Sequence, residues 1–516
     1  MSRTLIIPAA KDIREDLQDM FGDVPSVLIP LNGIPFIETI LEKWGKLYSR
    51  IIVIVNPRHK DLLAPYKIDD VLVINNSTSL SDTLLTLSST PLSGHQADIL
   101  FGDSLFDTPA IADTVYFSYV NPEDCRWTKF EFHGERILDI QDKEVCTYDQ
   151  AFCGYFSFSY FPGFLSLLHK HRDFYKALQE YSFDRGLSFS AIKETDWIGI
   201  GHMDKYQNYK AKVIEARFFN QIQIDENTGT LTKLSTETKK LGDEANWYKN
   251  IPAKLQYLVP HVFQVSKGRI DMQYYPLPTV HELMLNGKLT LTVIQTLEKH
   301  LRNLWRFTAT NTCDTACLRK KMYVQKTVER LGKIPETILA DLNNVFPVSI
   351  LMENIGMFVE QFNLDKPTLF TVVHGDFCAS NILYDTKTNL IKLIDPRGSF
   401  ETAGIFGDPL YDLAKLFHSF EGRYDFIIGD KFEIQERKVK FNISQKVRDQ
   451  LSCSLQYLYE VFSSDIEQVK LIEALLFLSM IPLHSDYPER QKAMYRAGIS
   501  LLEELNLVEG HCVKLL

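Results

Sequence analysis

The sequence has no CxxC pair. Its eight cysteines (Cys125, Cys146, Cys153, Cys313, Cys317, Cys378, Cys453, Cys512) are scattered through 516 residues. The closest spacing, Cys313 to Cys317, lacks the second nearby pair that a four-ligand zinc site needs, so structural zinc is not expected. Scattered thiols suit a reducing compartment, which makes a cytoplasmic location the expectation. Long apolar runs are also missing. The greasiest stretch, "LIEALLFLSMIPL" (471–483), falls short of the roughly 18 residues that span a bilayer, and Glu473 and Pro482 interrupt it; a core helix is expected there. The apolar run in "MSRTLIIPAAKDIRED" is too short for the core of a signal peptide. Positive charge is in deficit: the formal net charge is -10. That excludes a broad nucleic-acid-binding face but allows a local basic pocket.

What is present is the make-up of a folded protein, with 45% hydrophobic and 24% charged residues. The length suits about two to four domains. In the first 110 residues, "TLIIP" (4–8), "IIVIV" (51–55), "VLVI" (71–74) and "DILFG" (98–102) are apolar enough to be parallel strands covered on both faces. Between the first two, "PFIETILEKWGKLY" places Ile37, Ile40, Leu41 and Trp44 on one helical face, which is the logic of a βαβ unit. Residues 114–160 alternate aromatic and β-branched side chains, as in "TKFEFHGERILDI", and predict added strands. From about residue 215 the pattern changes to a hairpin ("NQIQIDENTGTLTKLSTE", with its turn at Asn227 to Gly229), a helix ("KLGDEANWYKNIPAK") and a second hairpin ("VPHVFQVSKGRIDMQYYP"). After about residue 285 nearly everything reads as helix, apart from residues 374–398. The expected domains are 1–212, 213–284 and 285–516.

The exceptional stretch is "HGDFCASNILYDTKTNLIKLIDPRG" (374–398), a loop and hairpin that carries Asp376, Asn381 and Asp395. Hairpin geometry can bring Asn381 and Asp395 together while Asp376 sits on the adjoining loop. An amide and a carboxylate oxygen suit Mg²⁺, a hard cation that binds one or two such groups together with phosphate, and a third carboxylate can accept a proton from a hydroxyl. Taken singly, each residue has a plainer use: Asp376 capping a turn, Asn381 making an Asx turn, Asp395 closing a strand before Pro396.

The segments "HGDFCASN", "LIDPRG" and "GDPLYDLAKL" (407–416) resemble the aminoglycoside phosphotransferase and choline kinase group of small-molecule kinases, which have the protein-kinase-like fold. The resemblance implies an α+β kinase-like domain, ATP as donor, Asp376 as catalytic base, and Asn381 and Asp395 as magnesium ligands. It also implies structural roles for Asp408 and Asp412 and a loop-bracing role for His374. An ATP-holding lobe is then expected to begin at the 219–236 hairpin. Lys233 would contact the phosphates with Glu244 as ion-pair partner, although Glu237 competes for that role and a solvated charge cluster is the alternative. "DMQYYPLPTVHEL" matches the family's hinge, where backbone groups around Tyr274 and Tyr275 would meet adenine. Only Gly229 stands for the glycine-rich phosphate cover. Arg397 and Tyr411 are candidates for the acceptor wall, with helical insertions at 286–370 and 420–510 supplying the rest. No HRD-type loop, DFG or APE segment is present, which speaks against a protein kinase and for a small acceptor.

Residues 1–212 resemble the sugar-phosphate and amino-alcohol-phosphate nucleotidyltransferases, a doubly wound, GT-A-like α/β fold. The resemblance rests on "LIIPAA", "PSVLIPLNGIPFIETILEKW", "ILFGDSLF" around Asp103, and "WIGIGHMDKY". Several departures stand out. "PAAKDIREDLQDM" has none of the family's triphosphate-binding glycines, Val27 and Leu28 replace a lysine, and Gly199 stands where a second metal-binding aspartate belongs. Lys11 and Arg14 could stand in for the lost phosphate ligands, or be solvated charges on a helix. A degenerate domain is expected. The two resemblances together imply ATP- and Mg²⁺-dependent phosphorylation of a sugar or amino alcohol for nucleotide-activated precursors of surface polysaccharide. The alternatives are a bifunctional kinase and nucleotidyltransferase, and a non-catalytic ligand-binding scaffold.

Overall fold

The computed structural model describes residues 3–31, 34–90, 95–110, 112–193, 196–203, 205–207, 209, 220–225, 228–310, 314–485, 487–509 and 512–513. Asn227 of the expected turn, most of the bridging segment 216–222, and Cys313 lie outside these residues. The chain divides into two compact units, Met1–Ile214 and Glu215–Leu516.

The first unit is built on a sheet whose strands run in the order Arg136–Asp142, Thr128–His133, Gln150–Phe158, Gln96–Leu100, Arg3–Ala9, Arg50–Val55 and Asp70–Val73. The last four are mutually parallel. Three of them are covered on both faces, as their apolar runs require: Leu5, Ile6, Ile7, Ile52 to Val55 and Ala97 to Leu100 are buried, whereas Asp70–Val73, expected to be covered likewise, is a half-buried edge strand whose Val73 is exposed. The helix Phe36–Trp44 buries Phe36, Ile37, Ile40 and Trp44, while Leu41 lies at the edge of that face. On the other side the chain turns antiparallel, and aromatic rings fill the layer, with Phe130 and Phe152 stacked at 4.0 Å. Chain order reverses between Arg3–Ala9 and Gln96–Leu100, so the sheet has its switch point where the carboxyl ends of these two strands meet.

The second unit opens with an antiparallel sheet in the order Asn220–Asp225, Thr230–Ser235, Arg269–Gln273 and Val262–Ser266. The helix Thr238–Asn250 buries Leu241, Ala245, Trp247 and Tyr248. The remainder is mainly helical around one continuous core, and the short pair Ile382–Tyr384 and Ile391–Leu393 carries the stretch singled out above. The helix Ile466–Met480 is buried along most of its length, as expected of residues 471–483. Among the described residues no single helix is long and apolar enough to cross a membrane. One expectation fails. The 420–510 insertion is not wholly helical, because Phe432–Gln435 and Lys438–Phe441 form a hairpin whose turn places Glu436 in the left-handed region.

Candidate active site

The strand Thr230–Ser235 turns Lys233 inward, where it is almost fully buried. Its Nζ lies 2.7 Å from Glu244 Oε2, on the helix Thr238–Asn250, and 2.8 Å from Asp395 Oδ1. Burial alone would lower the Lys233 pKa, but the two carboxylates hold it above its usual value. Burial pushes Glu244 up to about 7, with the Asp395 charge adding to it and Lys233 opposing. Glu237 takes no part; it pairs with exposed Lys240 at 2.6 Å. A lysine held between a helix and a loop in this way ties the two together, and removing one partner of such a buried pair typically costs about 3–5 kcal/mol.

Asp395 sits at φ +56°, an uncommon conformation for a non-glycine residue, and its N–H donates to the Tyr248 hydroxyl at 3.2 Å. Three residues on, Gly398 has φ +66°, and a Cβ there would lie 2.1 Å from the Asp243 carbonyl oxygen and 2.8 Å from Glu244 N. Only glycine lets the helix backbone press against this loop. Glu244 and Asp395 therefore reach the same lysine because Gly398 lets their segments meet.

Asp376 follows the short strand Thr371–Val372. Its Oδ2 accepts from Asn381 Nδ2 at 3.0 Å, and the Asp376 carbonyl accepts from the same amide nitrogen at 3.0 Å. The Asn381 carbonyl accepts from Ile394 N at 3.0 Å, which places Asn381 beside the residue that precedes Asp395. Because Nδ2 donates to Asp376, the Asn381 Oδ1 is the accepting end, and it takes one long bond from Ser380 Oγ at 3.5 Å. The Asp395 carboxylate is half exposed. An amide oxygen and a solvent-facing carboxylate at adjacent ends of the paired strands Ile382–Tyr384 and Ile391–Leu393 are a donor set that fits Mg²⁺.

The helix Pro409–Phe420 holds the Asp376 loop in place. Asp412 accepts from His374 N at 2.6 Å and Gly375 N at 2.7 Å, and burial pushes its pKa up to about 7. Lys415 Nζ lies 2.9 Å from Asp376 Oδ1. Burial would raise the Asp376 pKa, but the charge and hydrogen bond of Lys415, with the charges of His374 and Arg397, together outweigh it and leave the carboxyl below its usual range. Asp408 caps the helix and is buried against Arg319 Nε (2.7 Å) and the Tyr323 hydroxyl (2.8 Å). His374 is fully buried, with its pKa lowered by burial; Asp376 N donates to its Nδ1 at 3.3 Å, and its ring packs edge-on against Trp247.

Of the remaining expected residues, Arg397 Nη1 donates to the Tyr411 hydroxyl at 3.1 Å, and Arg397 N donates to the His374 carbonyl at 2.9 Å. The pair thus stands next to the Asp376 loop. Tyr274 and Tyr275 lie in the link after Arg269–Gln273. Tyr274 N donates to the Gly229 carbonyl at 2.8 Å and the Tyr275 carbonyl accepts from Leu277 N at 2.8 Å, so both of these backbone groups are already engaged within the protein. Sequence reasoning missed Lys415, although its spacing of three from Asp412 puts both on one helix face.

In the first unit, Asp103 lies at the switch point. A Cβ on the preceding Gly102 would meet Ser26 and Val27 at 2.8 Å, so the backbone just before Asp103 presses against the segment after the helix Glu15–Phe21. Burial raises its pKa, and Ser104 Oγ donates to its Oδ1 at 3.2 Å. Lys11 and Arg14 are exposed beyond the first strand, and a cation whose charge acts on Asp103 is Lys143. The strand Trp197–Gly199 pairs with Ser104–Phe106, placing Gly199 opposite Ser104. A Cβ on Gly199 would lie 3.1 Å from the Trp197 indole, and one on Gly201 would lie 2.1 Å from Asp103 Oδ2. The indole lies in tight contact with position 199, and it stacks on Phe106 and meets Trp127 edge-on.

No protein-family model matches the chain, and no curated protein matches it. Among solved structures, the N-terminal part, about 42% of the chain, resembles nucleotidyltransferases. These include the inositol-1-phosphate CTP transferase from T. maritima (18% identical, 42% of this chain and 97% of that one covered, TM-score 0.32). They also include CTP:phosphocholine cytidylyltransferase from Streptococcus pneumoniae (16% identical, 42% and 100% covered, TM-score 0.34). A third is a UDP-glucose pyrophosphorylase complexed with UDP-glucose (14% identical, 42% and 100% covered, TM-score 0.35).

Proposed function

We propose that the second unit is a small-molecule kinase that transfers the γ-phosphoryl group of ATP to a hydroxyl of a small metabolite. The observation that carries this reading is the continuous chain of polar contacts from Glu244 through Lys233 to Asp395, next to Asn381 hydrogen-bonded to Asp376. In this reading Lys233 binds and orients the donor phosphates, held in place by Glu244. Asn381 and Asp395 would hold magnesium, which would neutralise charge on the phosphate oxygens. Asp376 accepts a hydrogen bond from the acceptor hydroxyl and aims its oxygen at the γ-phosphorus. A bond forms between that oxygen and phosphorus, the bond from phosphorus to the β,γ-bridging oxygen breaks, ADP leaves, and the hydroxyl proton passes to Asp376. A carboxylate with a lowered pKa is a weak base, but phosphoryl transfer loses that proton late, so orientation is its main contribution.

The first unit is read as a degenerate nucleotidyltransferase domain. Asp103 is the one carboxylate at its switch point that the family pattern supplies, and glycine, tight against the Trp197 indole, stands at 199 where the pattern has its partner. The pairing of two such units suggests a place in making nucleotide-activated building blocks of surface polysaccharide. The test is Asp376→Asn: kcat for ATP-dependent phosphorylation should fall by about 10²- to 10⁴-fold with the fold and Mg-ATP binding retained. An unchanged rate removes the mechanism.

A further inference from the structure

The second unit contains a cavity of about 680 Å³ with a mostly basic wall: Lys321, Lys326, Arg330 and Lys333, against the acids Glu329 and Glu401. Lys333 is neutralised by Glu329 at 2.5 Å. Lys326 and Arg330 are not. Lys326 Nζ meets the Met322 sulfur at 3.3 Å, Arg330 Nη1 donates to the Ser479 carbonyl at 3.1 Å, and neither is ion-paired among the described residues. The backbone that presents Lys321 and leads into Lys326 is a π-helical turn, Lys321–Gln325, a rare distortion that is frequent at functional sites.

The cavity adjoins the proposed reaction centre. The same Met322 sulfur also touches Arg397 Nη1, at 3.6 Å, and Arg397 in turn lies 3.9 Å from Glu401 on the cavity wall. Burial and the nearby charges of Arg397, Arg330 and Lys415 push Lys326 down to about 6. Burial also lowers Arg330. Glu401 opposes the Lys326 shift only in part, so Lys326 is largely a neutral amine near pH 7; an anion beside it would favour its protonated form and would be drawn by the Arg330 guanidinium and Lys321 on the same wall. Choline, ethanolamine or an amino sugar would instead be repelled.

Resting on the kinase reading, we propose that the acceptor is a small polyol bearing a phosphate or carboxylate, whose anionic group is held by Lys326 and Arg330 while its free hydroxyl faces Asp376. This narrows the acceptor to an anion and replaces the amino alcohol implied by family resemblance.

The full chain is tested in two arms. Mg-ATP binding is measured first, by calorimetry. ATP consumption is then followed with glucose 6-phosphate, ribose 5-phosphate, glycerol 3-phosphate, gluconate and glucuronate, against glucose, choline and ethanolamine. Phosphorylated or carboxylated acceptors should be turned over with the highest kcat/KM, the phosphate and acid series telling the two anion types apart. Lys326→Met and Arg330→Gln should each raise the acceptor KM about 10- to 100-fold, with kcat and the ATP KM within a factor of about three. If Mg-ATP binds and choline, ethanolamine or glucose is preferred, or if neither variant moves the acceptor KM, this inference is overturned while the kinase reading stands. If Mg-ATP does not bind, the kinase reading fails. The basic cavity is then read by titrating inorganic phosphate: binding that Lys326→Met abolishes supports an anion site, and no binding overturns it.

Discussion

Asp412 and Lys415, three residues apart on the helix Pro409–Phe420, hold the Asp376 loop at two points: Asp412 binds the backbone N–H groups of His374 and Gly375, and Lys415 binds the Asp376 carboxylate. One helix face therefore fixes both the path of the loop and the charge of the side chain it presents.

Replacing Lys415 with Met should separate these two effects. Without the ammonium, burial is left to act on Asp376, and its pKa rises. Because the ionised form accepts the hydroxyl's hydrogen bond, the acid limb of the kcat profile should move to higher pH in Lys415→Met, while the plateau at alkaline pH falls less. A pH–rate profile whose acid limb does not move would show that Lys415 does not set the charge of Asp376.

Asp412→Ala is expected to act through the backbone. It leaves the N–H groups of His374 and Gly375 buried without their acceptor, at about 1–3 kcal/mol each. The midpoint of urea unfolding should drop, and kcat should fall with it because Asp376 loses its placement. Asp412→Asn, which can still accept one of the two bonds, should recover part of both losses.

Much of this site was legible in the sequence because its parts are local. Asp376 and Asn381 lie five residues apart on one loop, Lys233 and Glu244 eleven apart on a strand and the next helix, and the apolar runs of residues 4–8, 51–55 and 98–102 suit buried parallel strands, whereas that of 71–74 falls on a half-buried edge strand. What escaped depends on approaches between distant segments. Nothing near Gly398 announces that the backbone of Asp243 will come within reach of its missing Cβ. The indole of Trp197 over Gly199 is equally silent. Lys326 and Arg330 sit in "RKKMYVQKTVERLGK", a composition that reads as a solvated helix face until a π-turn and a cavity give it a direction. The hairpin at 432–441 was masked by its short alternation inside a helical context.

Gly398→Ala tests the closest of these approaches. A methyl group at that position collides with the Asp243 carbonyl and the Glu244 amide, and the φ of +66° disfavours any side chain. The helix carrying Glu244 must move away, which weakens the pair with Lys233. The expected result is an ATP KM raised by about tenfold or more, together with a lower melting temperature. An ATP KM equal to wild type would mean that helix and loop tolerate separation and that their contact does not set the position of Lys233.

The pH dependence of ATP binding follows from Glu244, whose pKa is pushed from 4.5 up to about 7. Below pH 7 it takes up a proton and loses its charge, so Lys233 is held by Asp395 alone; above pH 7 the ionised carboxylate draws it into place. ATP affinity should therefore rise as pH increases through about 7. Stability moves the other way. A carboxyl whose folded pKa lies above its unfolded value contributes stability that is full below about pH 4.5 and lost as pH rises through about 7. Glu244→Gln removes the titrating group, so both trends should flatten in that variant, with ATP affinity fixed near the low-pH value of the wild type. Calorimetric ATP titrations at pH 5.5, 7 and 8.5 on the two proteins check this, and an unaltered pH dependence in Glu244→Gln would assign the titration to another group.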